Sequence, residues 1–193
     1  RATLADFMGD SLVYRSLEPM DRRIAGLRNT WQEIGLDHYF VPRKTTLAYA
    51  TTLLRFLQRA QRARGETSPL VRALFIGDTA MNDGTAARNV GQYLPMMGFI
   101  GADRLSQPAQ QEIQDRLLLA NRWEMLGDYV AWINEAGFGC DEQTVLLIDL
   151  DKTSLGARGR NDQVIDSARV QAVIRTMVDA LGDRFDETAF RAI

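Results

Sequence analysis

The sequence predicts an α/β fold in which helices flank a Rossmann-like parallel sheet. Two short apolar runs, residues 72–76 and 145–148, are each followed at once by acidic residues or by a Gly-Asp pair. Segments whose apolar residues recur at helical spacing lie before and after both runs. Apolar runs of this length between helices are typical of buried parallel strands, so strands and helices are expected to alternate along the chain.

The individual elements follow from the spacing of apolar residues and from the turn formers between them. Apolar side chains at every third or fourth position predict helices, and Thr45 or Thr46 can cap the second of these. Glycine or proline is expected to end helices at Gly35, Pro95 and Gly137. The expected helices cover residues 17–34, 45–60, 85–93, 108–120, 122–136 and 164–181. The expected strands cover residues 11–14, 72–76, 97–101 and 145–148.

Composition limits the classes of function. The chain has 193 residues, of which 46% are hydrophobic and 25% charged, as in one ordinary globular domain. Its net charge of −2 argues against nucleic-acid binding. A single cysteine (Cys140) excludes an intramolecular disulfide within this chain, and a single histidine (His38) excludes a metal site built from several histidines. No apolar run approaches the roughly 20 residues of a membrane span, and a cytoplasmic location is expected.

Acidic residues follow two of the predicted strands. Asp149 ends the last strand, and Asp151 returns to the same side two residues later. Asp78 ends the strand at residues 72–76, and Asp83 lies near the start of the next helix. Open parallel sheets bind ligands beyond the carboxyl ends of their strands, where paired carboxylates can provide a nucleophile, a proton carrier or ligands for a hard cation. Both segments also fit simple strand-to-helix turns.

These residues resemble the motifs of the haloacid dehalogenase-like (HAD) superfamily of phosphatases and phosphotransferases. Residues 145–153, an apolar strand followed by Asp-x-Asp-x-Thr, are similar to the first motif of that family. Residues 73–83, which contain Gly-Asp and end in a second Asp, resemble the fourth. Lys44, one of only two lysines, precedes a helix at a distance from Asp78 that is typical of the third motif. Ser16 is the best positional candidate for the second.

The resemblance implies a Mg²⁺-dependent reaction on a small phosphorylated substrate. Asp149 would attack phosphorus to form an aspartyl-phosphate, and Asp151 would protonate the leaving oxygen and later activate water. Lys44 would steady the transferring group. The implied catalytic residues are Asp149, Asp151, Lys44 and Thr153; the metal ligands are Asp149, Asp151 through its backbone carbonyl, Asp78 and Asp83; the substrate-binding candidates are Ser16, Arg158 and Arg160.

The motifs occur in an order that differs from the family. The segments similar to the third and fourth motifs precede the segment similar to the first, so the fold is expected to be permuted or incomplete. A circular permutation, a junction of two trimmed tandem domains and a decayed upstream copy all fit this order, and the distance between the Asp149 and Asp78 carboxylates separates one shared site from two. We assign residues 1–120 to a HAD-like core segment, 121–144 to a connecting helix, and 145–193 to the first-motif strand and the start of a cap or following helix.

Two other functions stay open. A HAD-like fold with an incomplete site would act as an interaction or regulatory module without catalysis. A receiver-like phosphoacceptor domain would also use an aspartate at a strand end with Mg²⁺ and a lysine, although the Asp-x-Asp-x-Thr spacing argues against it. The sequence does not indicate an oligomeric state.

Overall fold

A five-stranded sheet forms the centre of the molecule. In this computed structural model, which describes residues 11–102, 104–154 and 162–191, the strand order is β3-β4-β2-β1-β5. β1 pairs in parallel with β2 and β5, β4 pairs in parallel with β2, and β3 is antiparallel to β4. The predicted α/β fold is therefore confirmed, and the predicted parallel sheet is confirmed for β1, β2, β4 and β5, whereas the antiparallel β3 was not predicted. The strands are β1 (Arg72–Gly77), β2 (Met96–Gly101), β3 (Gln111–Gln114), β4 (Leu117–Ala120) and β5 (Thr144–Ile148).

Helices flank the sheet in the described part of the chain. Most coincide with predicted helices to within a few residues, and none is both long and apolar enough to cross a bilayer. The α-helices are α1 (Leu27–Thr30), α2 (Leu47–Ala63), α3 (Thr85–Val90), α4 (Leu126–Glu135), α5 (Asp162–Leu181) and α6 (Glu187–Arg191).

Both faces of the sheet are apolar because helices cover both. Alternation along β1 directs Ala73 and Phe75 to the face covered by α2 and α3, and Leu74 to the face covered by α4. On the second face the Tyr129 hydroxyl of α4, which is buried, donates a hydrogen bond to the Met97 carbonyl (3.0 Å). This packing buries β1 between the two helical layers and ties α4 to β2.

The helix α2 begins where the sequence predicts a cap. Thr46 has an extended backbone, and its hydroxyl accepts a hydrogen bond from the Tyr49 N–H (3.3 Å). Of the two candidate caps, Thr46 is the one used. The start of the helix fixes the position of Lys44, two residues before the cap.

The predicted helix over residues 108–120 is wrong, because this segment is the β3-β4 hairpin. Gln, Glu, Leu and Ala favour helices, but Leu117 and Leu118 are buried where β4 pairs with β2. Asp115 and Arg116 form the two-residue turn with positive φ values of 49° and 64°. Turns of this kind favour Asn-Gly, so the sequence lacks the usual hairpin signal.

Arg116→Gly is expected to stabilise the protein by up to about 1 kcal/mol, because glycine adopts positive φ without the steric cost that a side chain adds. The midpoint of urea unfolding measures this. Arg104→Gly, at an exposed residue without positive φ, is the control and should destabilise. A lower midpoint for Arg116→Gly would contradict the prediction.

The predicted helix over residues 17–34 is mostly absent, since only α1 forms there. Leu17 has a φ of 58°, which breaks a helix, and the Glu18 carboxylate accepts a hydrogen bond from the Arg28 N–H (2.9 Å) at the start of α1. The candidate strand at residues 11–14 is reduced to a single bridge between Val13 and Pro19. The segment instead packs as a bent layer on the outer side of α2.

Candidate functional site

The strands β1 and β5 are neighbours and run in parallel, so their carboxyl ends lie at the same edge of the sheet. Asp78 follows β1, and Asp149 follows β5. One turn of π-helix comes next in each case, Ala80–Gly84 after β1 and Leu150–Ser154 after β5. Turns of this rare type occur often at functional sites.

Three carboxylates converge at this edge. Asp78, Asp83 and Asp149 each offer an oxygen atom, and these atoms all lie within 4.8 Å of one another. Asp78 and Asp149 therefore belong to one site and not to two. Carboxylate oxygens at this spacing match the ligand preference of a hard cation such as Mg²⁺, so the residues present fit a divalent ion.

Lys44 forms ion pairs with both the segment that follows β1 and the segment that follows β5. Its Nζ donates to Asp83 Oδ1 (2.7 Å) and to Asp149 Oδ1. The Lys44 side chain is 34% exposed, whereas those of Asp83 and Asp149 are 2% and 11% exposed. The ammonium therefore supplies positive charge to two carboxylates that water scarcely reaches.

Asp83 is held by donors on both of its oxygens. Its Oδ2 accepts hydrogen bonds from the Asp78 N–H (3.2 Å), the Thr79 N–H (3.1 Å) and the Thr79 hydroxyl (2.8 Å), while Lys44 occupies Oδ1. These contacts close the loop after β1 upon itself. Asp83 thus anchors Lys44 and the loop, and Asp78 and Asp149 are more available to an ion.

Asp149 is fixed by the turn that follows it. Its N–H donates to the Ile76 carbonyl of β1 (2.9 Å), and the Ser154 hydroxyl donates to its carbonyl (2.9 Å). The Thr153 hydroxyl donates to Asp149 Oδ2 (3.3 Å). Thr153, which the sequence analysis placed among the catalytic residues, therefore contacts the carboxylate implied as the nucleophile.

The charges of the site shift its pKa values in opposite directions. Burial, a hydrogen bond with Asp83 and the negative charges of Asp83 and Asp149 raise the pKa of Asp78 to about 6, although Lys152 opposes the shift. Burial opposes ionisation of Asp83, but hydrogen bonds from Lys44 and Thr79 outweigh it and lower its pKa. Burial similarly disfavours the charged form of Lys44, yet its two carboxylate partners raise its pKa. The surroundings of Asp78 thus make it easier to protonate than an ordinary aspartate.

Two other predicted site residues, Asp151 and Ser16, are not part of the cluster formed by the three carboxylates and Lys44. Asp151 is exposed in its π-helical turn and is not one of the three converging carboxylates. Ser16 is exposed in the turn between Val13 and Pro19, and among the described residues no hydrogen bond connects it to the carboxylates. Arg158 and Arg160 lie outside the described residues.

Two features of the site were not predicted. Tyr49, in the first turn of α2, is near enough for the charges of Lys44, Asp83 and Asp149 to affect its pKa, which burial raises. Lys152 lies in the helical turn of residues 150–154, and its positive charge opposes the rise in the pKa of Asp78. Nothing in the local sequence marks Tyr49 as part of the site.

Gly77→Ala is expected to destabilise the protein by about 2 kcal/mol and to weaken binding of Mg²⁺. An added Cβ would lie 2.4 Å from the Asp83 Cβ, which cannot move without its backbone. Urea unfolding and calorimetric titration with Mg²⁺ measure the two effects. Gly127→Ala, in α4 with open space around it, is the control and should stabilise slightly. Unchanged stability and affinity in Gly77→Ala would refute the steric argument.

Comparisons with protein-family models, curated proteins and solved structures give no match to this chain.

Proposed function

We propose that this chain is a Mg²⁺-dependent phosphatase or phosphotransferase that acts through an aspartyl-phosphate on a small phosphorylated metabolite. The observation that supports this most is the meeting of Asp78, Asp83 and Asp149 with Lys44 at one sheet edge. These are the residues through which the sequence resembles the first, third and fourth motifs of the HAD superfamily. The proposal therefore has support from both sequence and geometry.

In the proposed mechanism, a carboxylate oxygen of Asp149 attacks the substrate phosphorus. The bond from phosphorus to the ester oxygen breaks, and Asp151 gives its proton to the leaving oxygen. Asp151 then removes a proton from water, whose oxygen attacks phosphorus, releases phosphate and restores Asp149. Lys44 holds Asp149 in place and offsets the negative charge of the transferring group.

A divalent ion has a defined place in this proposal. Asp78 and Asp149 would hold it, with the backbone carbonyl of Asp151, while Asp83 keeps Lys44 and the loop in position. When bound, Mg²⁺ neutralises carboxylate charge that would otherwise repel an anionic substrate. In its absence, Lys44 relieves the crowding of carboxylates, and protonation of Asp78 does so only as the pH falls below about 6.

The test is Mg²⁺-dependent release of phosphate from an aryl phosphate. The wild-type chain should be active, Asp149→Asn inactive, and EDTA should abolish the activity. Asp115→Asn, at an exposed aspartate of the β3-β4 turn, is the matched control and should leave the rate unchanged. Borohydride reduction of quenched reactions should convert the phosphorylated Asp149 to homoserine. Activity that survives in Asp149→Asn would eliminate the proposal.

A catalytically incomplete HAD-like interaction or regulatory module is the second candidate. Two observations favour it: among the described residues no hydrogen bond joins Ser16 to the carboxylates, and Asp151 is not one of the three that converge. It predicts Mg²⁺ binding without turnover of any phosphomonoester. A long-lived aspartyl-phosphate without turnover would instead indicate a receiver-like phosphoacceptor.

A further inference from the structure

The strand β5 has one open edge. It pairs with β1 on one side, and no other strand of the described residues pairs with its second side. Its sequence, Thr-Val-Leu-Leu-Ile, contains no charge and no proline. Leu146 and Ile148 are 50% and 45% exposed. An apolar edge strand without charged or proline residues is a template for pairing with another strand.

The pairing with β1 determines which backbone groups face the open edge. The Asp149 N–H donates to the Ile76 carbonyl of β1, so the odd-numbered residues of this segment bond to β1. Because backbone groups alternate in direction along a strand, those of Leu146 and Ile148 are directed to the open edge, as is the carbonyl of Thr144. These residues form a short ladder of donors and acceptors centred on Leu146.

We propose that β5 pairs in antiparallel fashion with β5 of a second copy of this chain, about a two-fold axis at Leu146. The two Leu146 residues exchange both of their backbone hydrogen bonds, and each Ile148 N–H meets the Thr144 carbonyl of the other copy. The Thr144 N–H is not needed, because it already donates to the Asp141 carbonyl of its own chain (3.0 Å). The open edge is thus complementary to itself in this register.

The side chains agree with the same register. Leu146 and Ile148 lie beside Leu74 and Ile76 of β1, on the sheet face that α4 covers only in part. With a two-fold axis perpendicular to the sheet, the same face of both copies lies on one side of the joined sheet. The exposed side chains of Leu146 and Ile148 from the two copies then pack against one another. Within residues 143–149 no facing pair brings two charges together, which favours a second copy as the occupant.

The pairing also affects the candidate site. Asp149 directly follows β5, and the proposed register sets Gln143 of the second copy beside it. The candidate sites of the two copies lie at opposite ends of the paired β5 strands, because these strands run in opposite directions. The inference does not depend on the proposed phosphatase activity.

Sedimentation equilibrium of the full chain tests the proposal. A mass of twice the 21.7 kDa monomer is expected. Leu146→Lys, which sets two ammonium groups opposite each other at the axis, should give the monomer mass with an unchanged circular dichroism spectrum. Ile113→Lys on β3, at the other sheet edge and 55% exposed, is the matched control and should remain dimeric.

Disulfide cross-linking tests the register in a Cys140→Ser background, which removes the exposed native thiol. Leu146→Cys should cross-link on oxidation, because facing Cα atoms about 5.5 Å apart suit a disulfide. Ile148→Cys should not, since its two copies would be about 14 Å apart. A chain that stays monomeric at about 100 µM overturns the proposal. The partner of the open edge of β5 would then be a strand of different sequence. A dimer that Leu146→Lys does not disrupt, or equal cross-linking of the two cysteine variants, overturns it as well.

Discussion

Lys44→Met is expected to lower the free energy of unfolding by about 2 kcal/mol near neutral pH without divalent ions. It leaves the nearly buried carboxylates of Asp83 and Asp149 without their shared cation. Loss of one partner of a fully buried pair costs about 3–5 kcal/mol, and the partial exposure of Lys44 reduces this figure. Urea unfolding in EDTA measures the loss. Mg²⁺ should restore more stability to Lys44→Met than it adds to wild type, because it replaces the missing charge.

The pH dependence of the Lys44→Met effect has a definite sign. The pKa of Lys44 is raised on folding, so its contribution is fully present below its unfolded value and is lost only at strongly alkaline pH. The pKa of Asp83 is lowered on folding, so its contribution is lost as the pH falls below about 4. The difference between wild type and Lys44→Met should therefore shrink in acid. Arg59→Met, which breaks the more exposed pair with Glu33, is the control and should cost less than about 1 kcal/mol. Equal losses in the two variants would contradict the prediction.

Asp78→Asn is expected to stabilise the metal-free protein by about 1 kcal/mol near pH 7.5. Folding raises the pKa of Asp78 from 3.8 to about 6, so its ionisation opposes folding as the pH rises through about 6. The shift corresponds to at most about 3 kcal/mol, and solvent screening of this half-exposed group reduces that value. Asparagine keeps the shape and removes the charge.

Unfolding in EDTA from pH 5 to pH 8 measures this effect. Wild type should lose stability relative to Asp78→Asn across that range, whereas Asp37→Asn, at an exposed loop aspartate, should follow wild type. Addition of Mg²⁺ should reverse the order, because wild type gains binding energy that Asp78→Asn cannot. A variant that is less stable than wild type in EDTA, or that keeps the full response to Mg²⁺, would refute this account of Asp78.

The parts of the fold that the sequence predicted well depend on local signals. The apolar runs at β1 and β5 are bounded by turn formers, and Thr46 caps α2 as a hydroxyl before an amphipathic run should. The hairpin at residues 111–120 could not be predicted in this way. Its turn uses Asp115 and Arg116 in a conformation that usually needs glycine, and its buried strand depends on pairing with β2.

The site shows the same division between local and long-range information. The sequence predicts the positions of Asp78 and Asp149 because each follows an apolar run that marks a strand. The carboxyl ends of parallel strands lie at the same side of the sheet, which brings the two residues together. The effect of the Lys152 charge on Asp78 depends on the helical turn that directly follows Asp149, which the sequence does not indicate. Tyr49 was missed because only the packing of α2 against the sheet brings it near Asp83 and Asp149.

Because β5 is an edge strand, an ion at the candidate site should bind only while β5 stays paired with β1. Lys44 and Asp149 are 105 residues apart in the chain, and β5 is held to the sheet by β1 alone among the described strands. Release of β5 would remove Asp149 from Lys44 and Asp78 while leaving the β1-β2-β4 centre intact. An ion that needs both Asp78 and Asp149 binds only the closed form, so Mg²⁺ should slow amide hydrogen exchange in β5 more than in β2. Exchange rates read by mass spectrometry would then report directly on how often the last strand leaves the sheet.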